Sequence, residues 1–482
     1  MGSFRVRKAR CDSIRRRDRP SSFMNNQLIP YAFLPERSGK MARNCALTIH
    51  RLLKERINSC FSGEKSMDRS ILRNIVLYFT TDIFTFVSVW MFGLTASYLT
   101  YLATESAGPL GLVGGLFNIP FLFFSLPGGV LADRHDRRRM VIFFNFCLLA
   151  ITCAAFFLQV AKSLHFTLIL AICFSLGTIW ALNIPSMLGL VKDMVPDPKD
   201  FSRVMGAAAS NGKIGQLIAS AAFGLILAAY SPAAVLLLAI AFNILATVSM
   251  ILVRKKPAIL SPVTGTVREN LRTGLGYVRA HPPILVIILL ATVVTIAFGF
   301  VTFQYPLIDA EYLHGNKMFL SYLYFAGGLG GLVAGIYLGK RKSPKGIMYV
   351  LLASVLIVGT AVIGLAAFGE DLYLATICAA GVDFAFIAAF GSCTAAIQLL
   401  CEEQMRGRVL GVSSMFLWGV MSVGMTLIAF FAARFGIGTA LFLTGIICFS
   451  AAGIFAVTIP WQRPLIRDIC RERGLGESEY PL

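Results

Sequence analysis

The stretch GGVLADRHDRRRM, residues 128–140, places six formal charges and a histidine in one short turn. The sequence on either side of it is apolar and carries almost no charge. This arrangement indicates a chain that crosses a hydrocarbon layer, turns in water and crosses again, because a charged group is costly within lipid. The composition agrees: mean hydropathy is +0.72 and only 14% of the residues are charged, whereas about a quarter are charged in soluble domains.

Apolar runs recur on both sides of this turn, from Asn74 to Trp461. Each is long enough to cross about 30 Å of hydrocarbon at about 1.5 Å per residue. We therefore predict an all-α membrane protein with twelve transmembrane helices. The predicted spans are 75–102, 108–131, 140–160, 165–190, 202–229, 232–253, 283–308, 318–339, 346–368, 372–399, 408–433 and 436–459.

Lysine and arginine divide unevenly between the two predicted sides of the membrane. Only Lys162, Lys317 and Arg434 lie in one set of loops, whereas 40 of the 44 lie in the other set or in the tails. The positive-inside rule places the crowded side and both termini in the cytoplasm. The net charge of +19 is then explained by topology and by anionic lipid. We predict no nucleic-acid partner.

The sequence contains no motif typical of a metal site, of ATP hydrolysis or of an enzyme active site. The 11 cysteines have no CxxC spacing, and the five histidines are scattered over tail and loops. No Walker A loop is present, and no nucleophile, base and orienting group occur together in a loop. We therefore predict no metal site, no cofactor and no enzymatic activity.

The first 73 residues form a basic tail without a secretory signal. We predict that this tail is disordered and cytoplasmic. Residues 46–57 have the pattern of a short basic amphipathic helix on the inner leaflet. The alternative is that translation starts at Met67 and that the preceding residues are an upstream extension of the reading frame.

The two halves of the chain are related in sequence. Residues 193–210 align with 398–415 at an offset of 205, and 335–348 stand in the second half where 129–140 stand in the first. This duplication predicts two six-helix bundles with a substrate site between them at mid-membrane, as in secondary transporters. The predicted division is a tail at 1–73, a bundle at 74–253, a cytoplasmic loop at 254–282, a bundle at 283–460 and a cytoplasmic tail at 461–482.

The charged turn and the duplication resemble the major facilitator superfamily. The turn matches its loop signature G-x-L-A-D-R-x-G-R-R, except that Asp136 replaces the usual glycine. The segments QMRGRVLG and GLGYVRAHPPIL are similar to the branch that contains enterobactin-type siderophore exporters and macrolide efflux proteins. The resemblance implies the major facilitator fold, transport by alternating access, and a bacterial inner membrane location. The matched signature positions are Gly129, Leu131, Ala132, Asp133, Arg134, Arg137 and Arg138.

The same resemblance implies a gate at the cytoplasmic side. It places Asp133 against the amino-terminal end of the eleventh helix, near Arg408, where a carboxylate complements the helix dipole. Loss of that contact would let the cytoplasmic side open. The alternative for the arginines is that they only anchor the loop beside the lipid headgroups. The predicted gating set is Gly129, Asp133, Arg134, Arg137, Arg138, Arg406, Gly407 and Arg408.

Three charged residues lie deep within predicted spans: Asp82, Lys213 and Asp383. Each costs about 2.5–3.5 kcal/mol on insertion scales, so each is expected to face a partner or a wet cavity. Asp82 is either the carboxylate that couples transport to protons or one member of a static ion pair with Lys213. Asp383 is a substrate contact, a second proton site, or a residue that lies nearer the membrane–water interface than the predicted span suggests.

Amides within the same apolar sequence include Asn118, Asn183, Asn211, Gln216 and Gln398. They either line the substrate cavity or form hydrogen bonds between helices. One feature of family antiporters is absent, because Gly215 is followed by Gln216 where a Gly-Pro pair is usual.

Together these patterns predict a secondary active exporter of a small secreted metabolite such as a siderophore, driven by proton antiport. The first alternative is multidrug or macrolide-type efflux, and the second is a membrane sensor or scaffold without flux. The predicted partners are a small-molecule substrate and the lipid bilayer, and a monomer is sufficient for this architecture.

Overall fold

The computed structural model describes residues 69–195, 198–254, 267–313, 315, 317–341 and 345–472, and these residues are helical apart from short turns. A π-helical turn, Met415–Val420, joins α13 to α14. The α-helices are α1 Arg69–Thr104, α2 Ala107–Asn118, α3 Pro120–Arg134, α4 Arg137–Val160, α5 Phe166–Met194, α6 Pro198–Ala229, α7 Pro232–Leu252, α8 Val267–Ala280, α9 Pro282–Tyr312, α10 Lys317–Lys340, α11 Ile347–Phe368, α12 Leu372–Leu400, α13 Glu403–Ser414, α14 Met421–Phe435 and α15 Ile437–Glu472.

The helices confirm the predicted all-α membrane architecture. Within the described residues, 11 helical segments are long and apolar enough to cross a membrane. The remaining predicted span corresponds to α6, whose shorter apolar part is Ile214–Ala229. The second span is divided into α2 and α3 at Ile119, because Pro120 has no N–H to continue the hydrogen-bond ladder.

The two ends of the chain depart from the predicted boundaries. The first helix already begins at Arg69, inside the predicted tail, and residues 1–68, with the predicted amphipathic segment 46–57, lie outside the described residues. The last helix continues through Pro460 and Pro464 to Glu472, although a tail was expected from residue 461. Burial explains the extension, since Ile466 and Cys470 are both fully buried.

Short polar signals fix where several spans begin. Asp136 caps α4 by accepting a hydrogen bond from the Arg139 backbone N–H at 3.3 Å, and its φ of −63° requires no glycine. The departure from the family signature at this position therefore leaves the turn intact. Asp371 caps α12 in the same way, accepting from the N–H groups of Tyr373 and Leu374.

The bundle has two ends. We call the end that carries most of the arginines and lysines the basic end and the opposite one the distal end. The basic end comprises the turns at 135–136, 253–254, 281, 345–346 and 401–402. The distal end comprises the turns at 105–106, 161–165, 230–231, 313, 369–371 and 436. At the basic end the Arg73 and Arg138 guanidinium groups donate to the carbonyls of Leu252 and Ile251.

Two groups of helices meet along one interface. We call α1–α7 the N-terminal half and α9–α15 the C-terminal half. At the distal end α2 packs along α14 and α6 packs along α10. The first contact depends on glycine, because a Cβ at Gly111 would lie 2.1 Å from the Ala429 Cβ. The hydroxyl of Thr426 also donates to the Gly111 carbonyl at 3.1 Å.

Candidate functional site: the interface between the two halves

A small cavity lies between the halves, toward the distal end. Residues of both halves line it: Trp90, Gly93, Leu94, Ser97 and Phe117 from one, and Thr302, Phe303 and Tyr324 from the other. The accessible lining of this cavity is apolar. Two polar atoms of the lining residues, Trp90 Nε1 and Thr302 Oγ1, are buried behind it without a hydrogen-bond partner within the described structure.

A buried hydrogen bond crosses the interface between α6 and α12. The Gln216 amide donates from Nε2 to Asp383 Oδ1 at 2.7 Å. Both residues are at most 4% exposed. The Asp383 carboxylate also lies against Gly327 of α10, where a Cβ would come within 2.5 Å of Oδ2. Thus two residues singled out in the sequence meet across the halves.

An aromatic cluster surrounds the π-helical turn. Trp418 stacks on Phe121 of α3 with ring centroids 5.6 Å apart, and it contacts Phe386 and Phe390 of α12 at 6.0 Å each. Phe298 stacks on Phe386 at 3.9 Å. π-helical turns are rare in proteins overall. Those that do occur are often at functional sites, where the extra residue changes the direction of the side chains around it.

Asp82 lies in the N-terminal half beside Asn211 of α6. Asn211 is buried, and its amide nitrogen has no partner within hydrogen-bonding distance among the described residues. The predicted ion pair with Lys213 falls on a side chain outside the described part of the structure. The neighbour that the structure does give to Asp82 is therefore an amide.

The charged turn makes its described contacts within the N-terminal half. Arg137 is buried and forms an ion pair with Asp193 of α5 at 2.6 Å, while it also donates to the carbonyls of Ala132 and Gly189. Arg138 holds the Ile251 carbonyl of α7 at 2.7 Å. These two arginines tie α4 to α5 and α7. The side chain of Asp133 lies outside the described residues.

The loop between the halves contributes a helix to the same end. The predicted surface segment forms α8, which packs on α13 and also touches α3. The Tyr277 hydroxyl accepts a hydrogen bond from the Glu402 N–H at 3.4 Å, and Gly274 lies close to the Arg408 carbonyl. The α8 helix therefore contacts both halves at the basic end.

Other residues of the predicted sets are not drawn into these contacts. Arg134 and Gly407 are exposed, a Cβ at Gly129 would have open space, and Arg406 Nε is buried without a described partner. Asn183 is buried with its carbonyl oxygen unpaired in the described structure.

Gln398 is exposed, so the structure gives it no buried hydrogen bond between helices, and its predicted place in the cavity stays a prediction. It lies 15 positions beyond Asp383 on the same helix, which is about 22 Å along the axis. The structure therefore does not bring Gln398 together with the Gln216–Asp383 contact.

Two acidic residues of the structure escaped the sequence reasoning. Asp193, the partner of Arg137, sits at the end of the fourth span, where an acid next to the lysines and arginines of the turns looks like ordinary surface charge. Asp309 is 3% exposed but falls one residue beyond the predicted end of its span. Its signal was present, since apolar sequence surrounds it.

No metal or cofactor site emerges from the described residues. They contain no group of three or more His, Cys, Asp or Glu side chains placed to bind a metal ion. The described cysteines form no disulfide with one another, and all of them except Cys401 lie within helices.

The fold and this interface define a polytopic membrane protein whose buried polar groups lie between two sets of spanning helices. Residues 81–422 match the Major Facilitator Superfamily. The chain belongs to this family, as the sequence predicted. It is accordingly a membrane transporter and not an enzyme.

Relatives and solved structures agree with this assignment. Macrolide efflux protein A of Streptococcus pyogenes is 23% identical over 73% of the chain and 87% of its own length. The protein of the same name from Enterococcus faecalis is 20% identical over 64% of the chain and 96% of its own length. A solved POT family transporter in complex with a thioalcohol-conjugated peptide superposes with a TM-score of 0.64 at 12% identity, covering 80% of the chain and 96% of that structure. At this identity the structural likeness concerns the fold alone.

Proposed function

We propose that this transporter is a secondary active exporter of small molecules that works by alternating access, with its substrate chamber between α1–α7 and α9–α15. The observation that carries the proposal is the buried polar contact between Gln216 and Asp383 across the halves. A static interface within lipid has no need for a buried carboxylate. An interface that opens to water and binds cargo does need polar groups at this depth.

The relatives favour macrolide-type compounds as the cargo, since the two relatives described above are both named macrolide efflux protein A. Asp383, Phe386 and Phe390 follow one another at helical spacing and so share one face of α12. That face offers a carboxylate beside aromatic rings, which suits a bulky apolar molecule with a polar or cationic group. Siderophore export remains a prediction without support from these relatives.

The driving force and orientation belong to the same proposal. The proton gradient drives export, and Asp82 is the carboxylate that couples the two. The basic end faces the cytoplasm of a bacterial cell, with both termini on that side, because lysine and arginine are retained there. The bundles at 74–253 and 283–460 are the bodies that move.

Inside-out membrane vesicles test this function. With a proton gradient imposed, vesicles that contain the protein should accumulate a radiolabelled macrolide, and a protonophore should abolish the accumulation. Accumulation of a catecholate siderophore but not of the macrolide would move the cargo to the siderophore class. Reconstituted, folded protein that moves neither compound in either direction would favour the sensor or scaffold alternative.

Asp82→Asn separates the two interpretations of that residue. If Asp82 couples protons, the variant should fold and bind cargo but lose accumulation driven by the gradient, while exchange of labelled for unlabelled cargo persists. Both assays use the same proteoliposomes, and Glu370→Gln, an exposed acid at the distal end, is the matched control. Poor folding of Asp82→Asn, seen as aggregation on size-exclusion chromatography, would instead indicate a structural acid.

A further inference from the structure

A buried carboxylate at the distal end has no role in the transport cycle described so far. Asp309 lies in the last turn of α9 and is 3% exposed. Its Oδ1 atom is buried without a hydrogen-bond partner in the described structure. The backbone carbonyl of the same residue accepts from the N–H groups of Leu313 and Gly315, so the position of Asp309 is fixed by the end of the helix.

The surroundings of Asp309 belong to both halves. Tyr98 and Tyr101 of α1 and Tyr324 of α10 lie within electrostatic range of its carboxyl group. Close by, Ser97 Oγ donates to the Phe303 carbonyl at 2.8 Å, across the interface. Asp309 is therefore part of the closed distal contact between the halves.

That contact contains further unpaired polar atoms. They lie on α1 and α9, the two helices that meet there. On α9, Thr302, Tyr305 and Asp309 recur at helical spacing and share one face. The buried atoms without a partner among the described residues are Thr100 Oγ1, Thr302 Oγ1, Gln304 Oε1, Tyr305 Oη and Asp309 Oδ1.

No cation compensates Asp309 within the described residues. None of the described ion pairs includes Asp309. The described groups within electrostatic range of its carboxyl are phenols: Tyr98 and Tyr101 from α1 and Tyr324 from α10. The other charged or titratable groups of the distal end on described elements and turns are Glu105, Lys162, His165, Tyr230, Glu311, Tyr312, Tyr322, Glu370, Asp371, Tyr373 and Arg434, while α2 and α11 carry none there. The side chains of His314 and Lys317 lie outside the described residues.

The physical chemistry favours a neutral acid in this setting. An ionised carboxylate that is buried without a partner pays a large desolvation cost. The carboxyl end of α9 adds the negative pole of the helix dipole, which disfavours a second negative charge. A protonated carboxyl group avoids both costs and gains an O–H donor for a neighbouring oxygen.

We propose that Asp309 is a proton-binding site in the distal contact between the two halves, and that its protonation controls whether this contact is closed. As the halves close, a carboxylate oxygen takes a proton from the distal aqueous phase and an O–H bond forms. As they open, water reaches the group and the proton returns to the same phase. Because closing takes up a proton, acid on the distal side favours the closed gate and higher pH favours the open one. This inference rests on the alternating access of the proposed function, and it adds control of that cycle by the pH on the distal side.

Distance measurements between spin labels test the site directly. Labels carried by noncanonical amino acids at exposed positions 162 and 373 report one distance across the distal end, between the N-terminal and C-terminal halves. In nanodiscs without cargo, the wild-type distance should lengthen as the pH rises from about 5 to about 8. Asp309→Asn should remain short over the whole range, because the amide reproduces the neutral acid. Glu311→Gln, two positions along and exposed, should follow the wild type.

Each other outcome overturns the proposal. A wild-type distance that ignores pH removes the switch, and an Asp309→Asn protein that opens as the wild type does assigns the switch to another group. If Asp309→Asn aggregates, Asp309→Ser provides a second neutral variant with the same expected result. The distances need no cargo, so a protein with the pH response that exports no macrolide would contradict the proposed cargo and leave the Asp309 site standing.

Discussion

At the scale of single residues, the Arg137 guanidinium is enclosed by groups of its own half. It has an ion pair with Asp193 at 2.6 Å and two backbone carbonyls as acceptors. Its side chain is 10% exposed, whereas that of Arg139 is 75% exposed. Loss of one member of a buried pair leaves an uncompensated charge, which typically costs about 3–5 kcal/mol. Arg137 therefore has a structural task that its neighbour in the same turn lacks.

Arg137→Ala should lower the thermal unfolding temperature of the purified protein by several degrees, since Asp193 loses the guanidinium that lies 2.6 Å from its carboxylate. The double variant Arg137→Ala with Asp193→Ala should lose less than the sum of the two single variants, because it removes both charges. Arg139→Ala is the matched control and should unfold like the wild type. Equal unfolding temperatures for the Arg137 and Arg139 variants would contradict this account.

The residues also show how far sequence reasoning reaches. Asp383 and Gln216 could be selected from the sequence because polar groups within apolar runs need partners, but only the structure, in which α10 packs on both α6 and α12, shows that they meet. Asp309 was missed because the predicted span ended at residue 308, one position too early. Asp193 was missed because a carboxylate in a basic turn carries no sign of its burial.

At the scale of elements, α2 and α14 make a close contact between the halves. A Cβ at Gly111 would lie 2.1 Å from the Ala429 Cβ, and one at Gly115 would lie 2.1 Å from the Thr426 hydroxyl. Helices within lipid approach this closely only through small residues. The seal of the distal end therefore depends on the absence of side chains along one face of α2.

Gly111→Ala should force α2 away from α14 and weaken the closed distal end, at a cost of about 1–3 kcal/mol. The distance between spin labels at positions 162 and 373 should lengthen at a pH where the wild type is closed. Gly335→Ala on α10 is the control, because a Cβ there meets nothing within 4 Å. If the two variants have the same distances, the glycine contact does not hold the distal end closed.

The elements themselves were largely predictable, and the exceptions have local causes. Eleven of the twelve predicted spans match described helices long and apolar enough to cross a membrane, because length and apolarity are what lipid requires of a helix. The break at Ile119 follows from Pro120, but the π-helical turn at Met415–Val420 has no comparable signature. The helix α15 extends beyond the predicted span 436–459 to Glu472, and the burial of Ile466 and Cys470 accounts for the extension.

At the scale of the whole molecule, the Gln216–Asp383 hydrogen bond joins the two halves at a buried site. Gln216→Glu should replace this hydrogen bond with two carboxylates at about the same separation. Two carboxyl groups at so short a distance cannot both remain ionised. The repulsion between them opposes closure of the two halves. The variant should therefore export cargo more slowly, and the deficit should shrink at acid pH, where one carboxyl group is protonated.

Transport in proteoliposomes over a range of pH measures this effect. Gln398→Glu makes the same chemical change at an exposed position of α12 and should leave both rate and pH profile near those of the wild type. A Gln216→Glu protein with a wild-type profile would indicate that the Gln216–Asp383 contact takes no part in the motion.

The position of α8 has one more consequence. The segment that links the halves lies on α13 and touches α3, so separation of the basic end has to strip it from one of them. We expect α8 to slow this separation, because its contacts with α13 and α3 have to break. A soluble protein that bound the outer surface of 267–280 would grip both halves at once and arrest the cycle without reaching into the membrane.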